Sequence, residues 1–124
     1  LDGAIVDAIP IKKAQAEGFE RSVVILTQPA GFRKQEEFQP PPKLFYRKYP
    51  RLIAALGRRV SAYNATMEFI EEEERQGRSL VLRPPVNHKV SRMEKSVEKL
   101  VRLYESGLSD GKKVLTQIKV FQPD

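Results

Sequence analysis

The clearest rhythm along the chain lies at its centre. Leu52, Leu56, Val60, Tyr63, Met67 and Ile70 recur at three- and four-residue intervals, with Ile53 and Phe69 widening the stripe. That spacing predicts one long helix near 50–76 with its apolar face turned to a core. Pro50 suits its first turn and Gly77 its stop after Gln76. At 1.5 Å per residue such a helix would be roughly 40 Å long.

Upstream the rhythm changes. Arg21 to Thr27 holds four consecutive aliphatics, Val23-Val24-Ile25-Leu26, and reads as a strand buried on both faces. A short helix from Lys12 to Glu17 precedes it, closed by Gly18 in the left-handed conformation. Downstream, Ser79 to Arg83 is a second short strand that Pro84-Pro85 ends. A helix near Ser96–Ser106 follows, with Val97, Leu100, Val101 and Tyr104 as its apolar face. Gly107 is expected to break it, and Ser109 or a neighbour to cap a last helix carrying Val114, Leu115 and Ile118. Helices alternating with buried strands are the rhythm of an α/β fold built on a parallel sheet. Pro40-Pro41-Pro42 cannot be helix or central strand and reads as a connector.

The charges complicate the long helix. Arg47, Lys48, Arg51, Arg58 and Arg59 crowd its beginning, while Glu68 and Glu71 to Glu74 crowd its end. Against the helix macrodipole each exposed misplaced terminal charge costs about 0.3–1 kcal/mol. Either tertiary partners neutralise the arrangement, or the basic half faces an anionic surface. Across the whole chain the net charge is +6, and residues 78–124 hold ten Lys/Arg against five Asp/Glu. That balance admits anionic lipid headgroups, nucleic acid or an acidic partner. The aromatics are few, several fall on the helical apolar stripes, and no stacking platform is evident, which weighs against nucleic acid.

Other classes fall away on composition. The chain has no cysteine, which removes disulfides, thiolate zinc sites and thiol catalysis. Nothing else shows metal-ligand spacing, and no cofactor is expected. The longest aliphatic run is far short of the ~20 residues of a membrane span. Without a signal-peptide pattern, the expected setting is cytoplasmic or peripheral at a membrane. A start without Met fits an excised piece of a longer protein.

The candidate chemistry sits at the N-terminus, in Asp2-Gly3-Ala4. It is followed by Ala8-Ile9-Pro10, Lys12-Lys13-Ala14, Gly18-Phe19 and Thr27-Gln28-Pro29, then by Tyr46-Arg47-Lys48-Tyr49-Pro50, Tyr63-Asn64 and Leu103-Tyr104-Glu105-Ser106-Gly107. In that order these motifs resemble the C-terminal part of bacterial patatin-like phospholipases, over nearly the whole chain. The resemblance implies a C-terminal fragment of a three-layer α/β/α hydrolase. Residues 1–42 would be the last piece of the catalytic core, and residues 43–124 a mainly helical accessory domain. It further implies acyl-ester or phospholipid cleavage by a Ser–Asp dyad. Asp2 would be the catalytic aspartate of a DGA motif, with Gly3 allowing close approach and Ala4 in the small third position.

The serine of that dyad belongs to a G-x-S-x-G turn, and no such motif occurs in these 124 residues. The chain by itself is therefore expected to be inactive, because the nucleophile and oxyanion donors supply most of the rate. Ser22, Ser61, Ser79, Ser91, Ser96, Ser106 and Ser109 read as caps or surface, and His88, the single histidine, as an exposed loop residue. The alternative reading is a non-enzymatic basic α/β module that binds nucleic acid, an acidic partner or an anionic membrane. As a piece of a larger sheet, the chain is also expected to leave strand edges and apolar faces uncovered and to self-associate.

Overall fold

A computed structural model describes residues 2–35, 46–86, 90, 91 and 93–121. The expected proline connector, the boundary at 42/43 and His88 lie outside the described residues. A 3-10 turn at Gly3–Ile5 opens the chain, followed by α1 (Ile11–Ala16), β1 (Ser22–Ile25), α2 (Pro50–Arg75), β2 (Ser79–Leu82) and α3 (Val97–Phe121). Among the described residues the fold is mixed α/β, with two short parallel strands and three α-helices. Among these, α2 is the long helix its periodicity predicts.

Both strands are delivered by the same device. At the end of α1, Gly18 N–H donates to the Gln15 carbonyl at 3.0 Å and Phe19 N–H to that of Ala14 at 3.1 Å. At the end of α2, Gly77 N–H donates to Glu74 at 3.0 Å and Arg78 N–H to Glu73 at 2.9 Å. These are paired Schellman closures, and each needs a left-handed residue where the chain reverses. Gly18 and Gly77 supply it with φ of 98° and 71°. A side chain there would be strained, which explains why glycine stops both helices.

β1 and β2 run parallel in register, Ser22 opposite Ser79 through Ile25 opposite Leu82. Parallel neighbours need a crossover, and α2 provides it, making one β–α–β unit. Side chains alternate across β1. Val24 and Leu26 point into the core with Ile11, Met67 and Ile70, the last two 1% and 0% exposed. Ile9, Tyr63, Phe69 and Val81 pack around that cluster.

The expectation that β1 is buried on both faces does not hold in this chain, where Ile25 is 76% exposed and Val23 is also open. One crossover helix covers one face of a two-stranded sheet, and the period of two sends alternate residues to the other. Among the described residues the edge is open as well. Ser22 N–H donates to the Arg78 carbonyl and Leu26 N–H to that of Leu82. Alternation therefore turns the backbone groups of Val23 and Ile25 away from β2.

A second expectation also fails, that Gly107 ends a helix. α3 continues unbroken for 25 residues, through Gly107 and Gly111. An interior glycine costs only about 1 kcal/mol relative to alanine, and propagation on either side absorbs it. Ion pairs at helical spacing add support, Arg102 to Glu98 at 2.6 Å and Lys113 to Asp110 at 3.0 Å.

Candidate functional site

Asp2 stands at the head of the 3-10 turn in extended backbone, and its side chain is exposed. One carboxylate oxygen, Oδ1, accepts the Ala4 N–H at 2.9 Å. Asp-Gly-Ala thus makes a local cap, with the glycine inside the turn. Among the described residues the bond to Ala4 is the hydrogen bond this side chain makes, through Oδ1. Asp7 repeats the arrangement, its Oδ1 accepting the Ile9 N–H at 3.3 Å.

The turn leans on α2 across a small cleft of about 20 Å³, lined by the stretch Ala4–Ile9 and by Arg59, Ala62, Tyr63 and Thr66. That is room for about one water, not for an acyl chain. Arg59 Nε is buried there with no acceptor among the described residues. Burial raises the Tyr63 phenol above its ordinary 10.0, which keeps it a neutral donor at physiological pH.

Tyr63 belongs to a clamp that fastens the segment after β1 onto α2. Its ring meets Phe32 edge-on at 6.2 Å, and Lys34 Nζ lies 4.1 Å over its face. Beside it Asn64 grips the backbone of Lys34, accepting its N–H at 2.9 Å and donating to its carbonyl at 3.0 Å. Arg33 completes the fastening with two bonds to Glu71, 3.0 and 2.7 Å long. Such fork-to-fork geometry is the stronger kind of ion pair.

The acidic end of α2 is neutralised by tertiary partners, one of the two outcomes its sequence left open. Glu71 pairs with Arg33, and Arg83 reaches Glu74 at 2.7 Å. Glu73 is buried, 2% exposed, and held by Gln15 Nε2 at 2.6 Å and by Nε and a terminal nitrogen of Arg78. The Arg78 hydrogen bond, with help from Gln15, keeps the Glu73 carboxyl below the usual 4.5, against the opposing effect of burial. Arg33 does the same for Glu71. Arg78 is in place because the Gly77 closure folds it back over Glu73. The basic half differs, since Arg47, Lys48, Arg51 and Arg58 are exposed and hold no ion pair among the described residues.

The serines fall mainly where expected. Ser61 Oγ donates to the Arg58 carbonyl at 3.0 Å, and Ser96 Oγ accepts the Lys99 N–H at the mouth of α3. Ser79 is the exception: it is buried at the start of β2, and its hydroxyl has no partner among the described residues. Its position in the strand register opposite Ser22, not a cap, accounts for that burial. No group of three or more His, Cys, Asp or Glu among the described residues could hold a metal.

Residues 49–122 match the family described as a domain of unknown function, DUF6363. The chain belongs to the DUF6363 family. The matched span covers α2, β2 and α3, whereas Asp2 and β1 lie before it. The parallel strand pair therefore joins a DUF6363 strand to one outside the match. No curated protein and no solved structure matches the chain. Among the described residues, no helix of this DUF6363 chain is long and apolar enough to cross a membrane.

Proposed function

We propose that the chain is the aspartate-bearing C-terminal portion of a patatin-like acyl hydrolase, and that Asp2 accepts the proton of a serine carried on polypeptide outside these residues. The observation that carries the reading is the setting of Asp2. An exposed carboxylate is oriented by one backbone N–H, with no partner on its other oxygen among the described residues, on a turn packed against the crossover helix of a parallel β–α–β unit. A base that works on a hydroxyl from another segment needs that exposure and that orientation. The open outer edge of β1, with Val23 and Ile25 uncovered, is consistent with further strands beside it in a larger sheet. The substrate class, acyl esters of lipids, rests on the resemblance in sequence.

In such a dyad the serine hydroxyl would donate to Asp2 Oδ2 while its oxygen attacks the ester carbonyl. The proton would then return to the departing alcohol. The chain alone supplies neither the nucleophile nor oxyanion donors, and is expected to hydrolyse nothing. The test is to lengthen the protein toward its N-terminus until a G-x-S-x-G turn is included, and to assay short-chain acyl esters and phospholipid vesicles. Hydrolysis that Asp2→Asn abolishes supports the reading. A lengthened protein without esterase activity, or an unimpaired Asp2→Asn variant, overturns it.

A second reading has its own support in the basic start of α2, which holds no ion pair among the described residues. Arg47, Lys48, Arg51 and Arg58 form an exposed cationic end that an anionic membrane or nucleic acid would attract. Binding whose logarithm falls steeply with the logarithm of salt, to nucleic acid and not to lipid vesicles, would favour this basic-module reading.

A further inference from the structure

α3 presents two apolar faces, and the body of the protein uses one. Leu103, Ser106, Asp110, Gly111, Val114, Ile118 and Phe121 are half-buried and mark the side that meets the rest of the chain, with Gly111 and Ile118 at its border with the second stripe. Roughly a third of a turn away runs a second stripe, Val97, Val101, Tyr104, Leu108 and Leu115, whose members are 46–72% exposed. The steps alternate between four and three residues, with Gly111 filling the one gap. This is the spacing of a two-helix seam, narrower than the face a helix presents to a globular core.

The flank of the seam identifies its occupant. The residue immediately after each of Val97, Tyr104, Gly111 and Ile118 is charged: Glu98, Glu105, Lys112 and Lys119, all exposed. The acidic pair lies in the first half of the helix and the basic pair in the second. Turned end for end about an axis near Leu108, a second copy sets its Lys119 against Glu98 and its Lys112 against Glu105. Each pairing then occurs twice by symmetry. A parallel pair gains nothing comparable, because the opposing flank holds Leu100, Gly107 and Val114. Antiparallel helices also oppose their dipoles favourably.

The glycines are compatible with a close crossing near Leu108, although all seven in the chain have the same open surroundings. Gly107 and Gly111 weaken an uninterrupted helix, yet a Cβ added to either would meet nothing within 4 Å in this chain. Their lack of side chain is not required by packing within one copy. Both lie beside Leu108, where the two helices would cross and approach most closely. From the seam and the reversed charges, we infer that α3 is a self-association surface, joining two copies of this chain as an antiparallel helix pair. The inference stands apart from the acyl-hydrolase reading. It also differs from association through the open edge of β1.

Sedimentation equilibrium of the 124-residue chain over a range of concentrations tests it, with far-UV circular dichroism verifying that each variant is folded. The wild type is expected to approach twice its 14.2 kDa mass. The double variant K112E/K119E turns every flank contact repulsive and should weaken dimerisation at least about tenfold. The fourfold variant E98K/E105K/K112E/K119E restores the pairing with signs exchanged and should recover it. So should an equimolar mixture of K112E/K119E with E98K/E105K. Glu98 also pairs with Arg102 within its own helix, so the Glu105–Lys112 contacts are expected to contribute more. A monomer at every concentration overturns the inference. So does a dimer indifferent to K112E/K119E, which would place the contact elsewhere, or a fourfold variant that stays monomeric. Capture of monomers by phosphatidylserine vesicles in place of dimerisation would equally contradict it.

Discussion

The two halves of α2 carry the same mismatch with the helix dipole and meet it differently. The acidic C-terminal half lies in the body of the protein, where Arg33, Arg78 and Arg83 answer its glutamates and Met67 and Ile70 close the core beneath them. In the basic N-terminal half Arg51 and Arg58 are exposed, and only Arg59 is half-buried, against the N-terminal turn. Cations at a helix N-terminus oppose its dipole, so local stability did not choose them. The comparison separates charges that hold the fold from charges that the fold merely tolerates.

That contrast is sharpest in the apolar stripe. Ile70→Ala should cost about 3–5 kcal/mol in chemical denaturation, since a fully buried side chain leaves a cavity. Leu52→Ala, at a half-buried position of the outer half, should cost about 1–2 kcal/mol. Equal costs would mean that the two halves of the helix are packed alike.

A smaller effect is expected from the ion pairs. Glu73→Ala should cost about 2–3 kcal/mol, below the ~3–5 of a fully buried pair because Arg78 is half-exposed. The same carboxylate sets an acid dependence. Its folded pKa lies below the unfolded 4.5, so its contribution is complete above about pH 4.5 and lost as pH falls through the lowered value. Denaturation midpoints measured downward from neutral pH should therefore decline less steeply in Glu73→Ala than in the wild type. Identical acid profiles would remove this pair from the account.

The smallest effect comes from the outer end and has the opposite sign. Arg51→Glu places an anion in the first turn of α2 and should raise stability by about 0.3–1 kcal/mol. A loss of stability there would reveal a partner for Arg51 and end the distinction between the halves.

Much of this fold was legible because its punctuation is chemical. Gly18 and Gly77 are read correctly as helix stops, since each takes a left-handed backbone that other residues resist. Gly107 looks identical in sequence and stops nothing. Its φ is not positive, and helix-forming residues on both sides carry α3 through it. What distinguishes the three is where the next segment must go, which is a property of the tertiary fold. The exposure of Val23 and Ile25 is hidden for a related reason, because four aliphatics in a row look the same whether one or both faces are covered. Ser79 shows the limit for polar residues, as a strand register buries it and no local pattern marks that register. At the candidate site, the sequence singles out Asp2 through its neighbours and the motifs that follow. Its capping bond to Ala4 is the local turn any Asp-Gly step favours.

The most direct test of the central proposal is the esterase turnover of the N-terminally lengthened protein with Asp2 intact and with Asp2→Asn. Loss of a general base predicts a fall in kcat of about 10²–10⁴-fold, with folding and lipid binding unchanged. Turnover equal to that of the wild type would contradict the assignment of Asp2 as the proton acceptor.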